Sequence, residues 1–278
     1  MNTTRHEANL DSALIAALES LRSTDHLLVA LDFDGTLAPF VNDPAEARAL
    51  PASAAALERL AALPSVTTAL VSGRSLASLR EVASPGPRTL MIGSHGAEQW
   101  LGPNSQPLIL DAGQQALLAA VTAALQKVAA RHPGSVVEVK TAGVVLHTRG
   151  ATPEVGRSAL QEGRIAATEA EASVGGPLYV QDGKEVLDTT VVRADKGEGL
   201  EVLRAHTGAT AVFFAGDDRT DEDGFAALGP GDIGLKVGEG ETLAGFRIPS
   251  PEELPAVLEL LQRVRSEQSE PGQPGSEA

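Results

Sequence analysis

The chain has 278 residues and a formal net charge of −15, a balance that argues against general binding to nucleic acid or to an anionic membrane surface. Its hydrophobic share of 42% suffices for a packed core, but with 3% aromatic residues that core must be built from Ala, Leu and Val. The lack of cysteine excludes disulfides and zinc–thiolate centres, and no apolar run is long enough to cross a bilayer. The length suggests one large or two modest domains. The first residues, Met1 to Glu7, form no apolar secretory segment, so a soluble, cytoplasmic, monomeric protein is expected.

Taken in order, Leu10, Leu14, Leu18 and Leu21 stand at helical spacing and predict a packing helix over 9–22. The apolar run Leu27-Leu28-Val29-Ala30-Leu31 has strand length and ends in Asp32-Phe33-Asp34-Gly35-Thr36. Such a run, bounded by a turn, fits a strand buried on both faces of a parallel sheet. Ligand sites in open α/β sheets lie at the carboxyl ends of such strands, which places Asp32 and Asp34 at the mouth of the sheet. If the strand continued, the two carboxylates would share a face, and their repulsion calls for a cation; a hard, oxygen-seeking ion such as Mg2+ is the usual answer.

A helix capped by Ser53 is predicted over 53–62, a second buried strand over 66–71 ending at Ser72-Gly73-Arg74, and a helix over 75–82. A third strand over 89–92 leads into Gly93-Ser94-His95-Gly96-Ala97-Glu98. This alternation argues a Rossmann-like, doubly wound parallel sheet.

The pattern then changes. An amphipathic helix over 114–131 is followed by a hairpin over 136–149, a helix over 154–173 and two short strands around Asp182-Gly183-Lys184. That makes a small α+β domain over 107–189, inserted into a core of residues 1–106 and 190–265. One hairpin face is wet and carries Glu138 and Lys140; a later strand carries Lys184 and Asp188. From Asp195-Lys196-Gly197 the first pattern returns, with a helix over 197–206 and a strand over 211–215. That strand ends in Gly216-Asp217-Asp218-Arg219-Thr220-Asp221-Glu222. A strand over 233–237 and a helix over 252–265 close the core, and the Ser, Glu, Gly, Pro and Gln composition of 266–278 predicts a disordered tail.

Four element ends thus carry Asp32 and Asp34, Ser72, Lys196 on its helix start, and Asp217 with Asp218 and Asp221. Together they suit phosphoryl transfer, in which catalysis is mostly positioning and charge neutralisation. Carboxylates can hold the metal, Lys196 can neutralise another side, and Ser72 with backbone N–H groups can grip a phosphoryl oxygen. Without Cys or a P-loop, a carboxylate is the available nucleophile.

The order of Asp32-x-Asp34-Gly35-Thr36, Ser72, Lys196 and Gly216-Asp217-Asp218 resembles the four motifs of the haloacid dehalogenase superfamily. Ser72-Gly73-Arg74, His95-Gly96-Ala97-Glu98 and Gly216-Asp217-Asp218-Arg219-Thr220-Asp221-Glu222 narrow the resemblance to the trehalose-6-phosphate phosphatases, over about residues 25–250.

The resemblance implies an aspartyl-phosphate mechanism with Asp32 as nucleophile and Asp34 as general acid and base. It implies Mg2+ on Asp32, the Asp34 backbone carbonyl and Asp217, with Asp218 or Asp221 in the ion's outer shell. Ser72, Gly73 and Lys196 would bind phosphate. The inserted domain would be a cap that selects the sugar, with Arg74, His95, Gly96, Glu138, Lys140, Lys184 and Asp188 on the substrate. Asp188 stands where the family carries Glu. His147, Arg149, Asp43 and Glu222 are read as structural. The expected substrate is trehalose 6-phosphate. The alternatives are sucrose-phosphate or a glucosyl- or mannosyl-phosphoglycerate in the same chemistry, and an inactive phosphosugar sensor.

Overall fold

The structure, a computed structural model, describes residues 10–41 and 43–267. The chain divides into two compact units, one built from the described residues up to Gln106 and from Asp195 onward, the other from Pro107–Ala194.

The larger unit is built on a seven-stranded sheet. In chain order its elements are α1 (Ser12–Ser20), β1 (Leu27–Leu31), α2 (Pro51–Ala61), β2 (Val66–Val71), α3 (Leu76–Ala83), β3 (Leu90–Gly93) and β4 (Glu98–Trp100). The smaller unit follows with α4 (Ala112–Arg131), β5 (Val136–Val139), β6 (Gly143–His147), α5 (Pro153–Val174), β7 (Tyr179–Gly183) and β8 (Val186–Thr190). The larger unit resumes with α6 (Lys196–Thr207), β9 (Ala211–Gly216), α7 (Asp221–Ala226), β10 (Ile233–Val237), β11 (Phe246–Ile248) and α8 (Leu254–Ser266).

The strand order is β11-β10-β9-β1-β2-β3-β4, parallel except for β4, which runs antiparallel to β3. All five residues of β1 are buried. Leu27, Val29 and Leu31 join one apolar cluster with α1, α2 and α8, while Leu28 and Ala30 join another with Leu200 and Leu203 of α6. Alternation along one strand therefore feeds two cores, and the sheet is doubly wound as its continuous apolar strands imply.

Element ends differ from the sequence reading for identifiable reasons. The helix expected from Ser53 starts at Pro51, whose fixed φ and missing N–H suit a first helical turn, and Ser53 is buried within it. The long helix of the smaller unit starts at Ala112 because Asp111 and Gln114 form a reciprocal capping box. Residues 251–253 form a separate 3-10 turn before α8. The three-residue strands β4 and β11 and the six-residue α7 carry too few residues for a periodic signal. The expected tail lies outside the described residues from 268 onward, and Ser266 closes α8.

The smaller unit is a four-stranded antiparallel sheet, β5-β6-β8-β7, with its two long helices packed together. Val144, Leu146 and Leu187 are buried on one face. Val139, paired with Val144 and so on the same face, is 55% exposed on the edge strand β5. The chain leaves this unit later than the expected residue 189: Val191 N–H still donates to Ala142 O at 2.9 Å. Among the described residues no helix is long and apolar enough to cross a membrane.

Arg265 is fully buried and ties α8 to distant loops, donating to Leu21 O at 2.7 Å and to Ser65 Oγ at 2.8 Å. Abandoning a buried acceptor costs about 1–3 kcal/mol. Arg265→Met should therefore lower the unfolding free energy by roughly 3 kcal/mol, read from urea denaturation.

Candidate active site

The site forms where β1, β2, β3 and β9 end. Asp32 extends the ladder past β1, its N–H donating to Ala215 O at 2.9 Å. The chain then turns sharply. Gly35 has φ of 86°, its N–H donates to Ala38 O at 2.7 Å, and Ala38 N–H returns to Phe33 O at 2.8 Å. A Cβ on Gly35 would also collide with the Asp217 carboxylate. This position thus needs glycine both for its left-handed backbone and for the close approach of the acidic loop.

The turn separates the two carboxylates, which the simple strand picture put side by side. Asp34 faces Arg74, which holds it bidentately: Nε to Oδ2 at 2.6 Å and an Nη to Oδ1 at 2.7 Å. The same guanidinium lies over the Phe33 ring at 5.6 Å and donates to Pro44 O at 2.8 Å. Asp32, 4% exposed, faces Lys196 instead. Each carboxylate has its own cation, so repulsion between them needs no metal.

Lys196 is the first residue of α6, which Asp195 caps by accepting Glu198 N–H at 2.8 Å. Its Nζ donates to Asp32 Oδ1 and to Asp221 Oδ1, both at 2.7 Å. Asp221, 0% exposed, uses its other oxygen to accept the N–H groups of Asp217 and Asp218, each at 2.9 Å. Gly216 makes room for this: a Cβ there would strike the Asp221 carboxylate. Oxygens of Asp32, Asp217 and Asp221 lie within 4.8 Å of one another, a set able to hold a hard cation. Asp218 is not in that set. Its Oδ1 accepts from Thr220 N–H at 2.8 Å, Thr220 Oγ1 at 2.8 Å and Asp221 N–H at 3.1 Å, so it shapes the turn into α7.

The electrostatics follow from burial and crowding. Burial raises the Asp32 pKa well above the usual carboxylate range, opposed by Lys196 and reinforced by Asp221 and Asp217. Burial, then Asp221 and Asp218, push Asp217 up to about 7. Asp221 is raised by burial against Lys196. For Lys196, burial disfavours the charge, but Asp221 and Asp32 outweigh it and raise its pKa. Burial also works against ionised Asp218, yet Lys196 and the Thr220 hydrogen bonds prevail and bring it to about 2. The cluster therefore carries more carboxylates than its one ammonium can balance, and a divalent cation fits the deficit.

Ser72, 1% exposed, accepts Arg74 N–H on Oγ at 3.2 Å, which leaves its own O–H as a donor for an anion. Gly73 lies against the His95 ring. His95 has φ of 56°, between Ser94 at 49° and Gly96 at 129°. The two non-glycine residues, Ser94 and His95, are strained in this left-handed run, and hydrogen bonds to the neighbouring loop hold them: His95 N–H to Ser72 O at 3.0 Å and Ser94 N–H to Arg74 O at 2.7 Å. Gly96 packs against the backbone of Asp195, just before Lys196. Ser72, Gly73, Arg74, His95 and Gly96 thus form one body with Asp32, Asp34 and Lys196.

In the smaller unit the register sets Glu138 opposite Val145, Val145 opposite Asp188, and Asp188 opposite Gln181. Lys140 Nζ donates to Asp188 Oδ2 at 2.9 Å, and Glu138 Oε2 meets His147 Nε2 at 2.9 Å. Glu138, Lys140 and Asp188 therefore gather on one sheet face. Lys184 does not join them; it sits in the exposed turn between β7 and β8, at the far end of the strands from Lys140.

Sequence reasoning passed over Lys236. It is 3% exposed on β10, and its Nζ donates to Asp217 O at 2.7 Å. The available signal was a lone Lys inside the apolar strand Ile233-Gly234-Leu235-Lys236-Val237.

Residues 30–242 match the family model described as trehalose-phosphatase. A trehalose-phosphate phosphatase of Mycobacterium avium (strain 104) is 35% identical over 242 residues, covering 81% of this chain and 59% of that protein. The chain thus spans less than two thirds of that relative's length. The C-terminal domain of the trehalose-6-phosphate phosphatase of Candida albicans superposes with a TM-score of 0.76 at 23% identity, over 90% of this chain and 97% of that one. A haloalkanoate-superfamily phosphatase from Bacteroides thetaiotaomicron superposes at 0.57 with 16% identity, over 86% of this chain and 95% of that one, and shares the fold. With the family model covering most of its length, the chain belongs to the trehalose-phosphatase family.

Proposed function

We propose that this chain hydrolyses trehalose 6-phosphate to trehalose and phosphate. The observation that carries the reading is Asp32: a carboxylate at a strand end, held by buried Lys196, within reach of Asp217 and Asp221. Family membership supports the choice of sugar, and the geometry suits the chemistry.

In the first step an Asp32 carboxylate oxygen forms a bond to phosphorus and the bond from phosphorus to the sugar oxygen breaks. Asp34 gives its proton to the departing oxygen. Water then attacks the acyl phosphate, its proton goes to Asp34, and phosphate leaves with the Asp32 carboxylate restored. Lys196 and Ser72 neutralise and grip the phosphoryl oxygens, supported by the backbone at Gly73. Asp32 and Asp217, with the Asp34 carbonyl that the family resemblance implies, would hold Mg2+, which would supply positive charge where negative charge builds. Asp221, whose oxygens already accept from Lys196 and two N–H groups, orients the loop and completes the acidic set around the ion's place. Asp218 orders the same loop. Glu138, Lys140 and Asp188 take the sugar's hydroxyls with charge-assisted hydrogen bonds. Arg74 acts on Asp34 rather than on the sugar, and His95 with Gly96 steadies the phosphate-binding loop. A sensor without catalysis would have no use for Asp34 under its own Arg clamp.

The deciding experiment is phosphate release with Mg2+ across trehalose 6-phosphate, sucrose 6-phosphate and the phosphoglycerate esters. Trehalose 6-phosphate should be preferred, and a preference for another ester would overturn the choice of sugar while leaving the chemistry standing. Asp32→Asn should reduce turnover to background. Asp34→Asn should lower it by about 10²–10⁴-fold, the usual worth of a general acid and base.

Leaving-group dependence separates the roles open to Arg74. In Arg74→Gln, kcat/KM for the sugar phosphate should fall about ten-fold or more, and for p-nitrophenyl phosphate, whose leaving group needs no proton, far less. Inhibition by free trehalose should be unchanged; weaker inhibition would instead put Arg74 on the sugar.

Stability should respond to pH and metal together. The raised pKa of Asp217, about 7 against 3.8, means that the folded, metal-free chain holds a proton that the unfolded chain releases. Stability from this group is complete below about pH 4 and is lost as pH rises through 7. Asp32 and Asp221 act in the same direction. Metal-free protein should therefore melt lower at pH 8 than at pH 5, and millimolar Mg2+ should raise the midpoint by a few degrees at pH 8 and little at pH 5, measured by calorimetry.

A further inference from the structure

Lys236 stands in the middle of β10 among apolar neighbours, paired in the sheet with Gly216, the residue just before the acidic loop. Its Nζ donates to Asp217 O at 2.7 Å, to Asp218 O at 3.4 Å and to Glu222 Oε1 at 3.4 Å. The other Glu222 oxygen accepts Leu243 N–H at 2.7 Å and Thr242 Oγ1 at 3.3 Å. On the opposite side of the same loop, the N–H groups of Asp217 and Asp218 both point to Asp221 Oδ2.

The peptide groups at Asp217 and Asp218 are therefore gripped from two directions, N–H by a carboxylate and C=O by an ammonium. Fixing both ends of a peptide plane fixes the backbone at Asp217, and with it the direction of its carboxylate. The fold alone does not explain this lysine. An apolar side chain would fill a buried strand position without the several kcal/mol that desolvating an ammonium costs. Glu222 extends the grip outward, joining the first turn of α7 to the 242–243 backbone.

We propose that Lys236 and Glu222 are positioning residues for the metal site: they act through the backbone of Asp217 and hold its carboxylate convergent with Asp32 and Asp221. This rests on the metal reading of the three-aspartate cluster. Because the two charges nearly cancel, the pair contributes geometry more than field at the ion. Removing both together therefore tests positioning without changing net charge.

The test is calorimetric titration of Mn2+ into metal-free full-length protein, with near-ultraviolet circular dichroism as the folding control. The double variant Lys236→Met with Glu222→Gln should bind Mn2+ about ten-fold or more weakly. KM for the sugar phosphate at saturating metal should stay within about two-fold, since neither residue touches the substrate. Binding within two-fold of the wild type by a folded double variant would overturn the proposal. If the double variant does not fold, Glu222→Gln alone decides. It both loosens the 242–243 tie and leaves Lys236 unbalanced, so its affinity should fall several-fold, and unchanged affinity would overturn the proposal. Asp217→Asn serves as the separate control: unchanged Mn2+ binding there would remove the metal site itself, whatever the two positioning residues do.

Discussion

Lys196 lies almost fully buried between two carboxylates, Asp32 and Asp221, the first of them 164 residues away in the chain. None of these three charges would be tolerable alone in that place, since an unpaired buried ion costs several kcal/mol. Brought together, each makes the others permissible, and the mutual attraction in a poorly screened interior locks the end of β1, the start of α6 and the start of α7 into one arrangement. The sheet delivers the strand ends to one edge; this ammonium decides how they meet. With Asp217 added, the assembly is left with excess negative charge by construction. A site built this way has three carboxylates placed where a hard cation fits.

The second organising feature is the division of labour between the two aspartates of the first strand end. One residue separates them in sequence, yet the turn at Gly35 sends them to different cations. Asp32 is dry and faces Lys196, whereas Asp34 stays partly open and is gripped by a guanidinium whose planar fork fits a carboxylate. Two chemically identical side chains thereby acquire different environments, the condition that the proposed division into nucleophile and proton carrier requires.

Much of this was legible in the sequence. The uninterrupted apolar character of the five residues of β1 and of residues 211–216 announced strands buried on both faces, and the carboxylates that follow them fell at the carboxyl edge as open parallel sheets require. What sequence left open is informative in kind. Periodicity has no purchase on three-residue strands, so β4 and β11 were silent. The choice between Asp218 and Asp221 depended on which carboxylate turns inward at the start of α7, a matter of one helical turn that no spacing rule resolves. The pairing of Arg74 with Asp34 becomes visible only once the chain bends at Gly35. Lys184 looked equivalent to Lys140 in a list of polar strand residues, but a hairpin turn carries it to the far end of the small sheet. Lys236 was missed because one charge in an apolar strand reads as noise until the carbonyls it serves are in place.

Gly35 and Gly216 share a property that bears on how such a chain can drift over generations. At each, the space a side chain would need is already filled by a carboxylate, Asp217 in one case and Asp221 in the other. Every codon change that replaces these glycines adds at least one carbon where one of these carboxylates stands. A suppressor elsewhere could restore lost stability, but it could not clear that space without displacing the acid. The lineage is therefore held to the smallest residue at two points for the sake of its neighbours' oxygens.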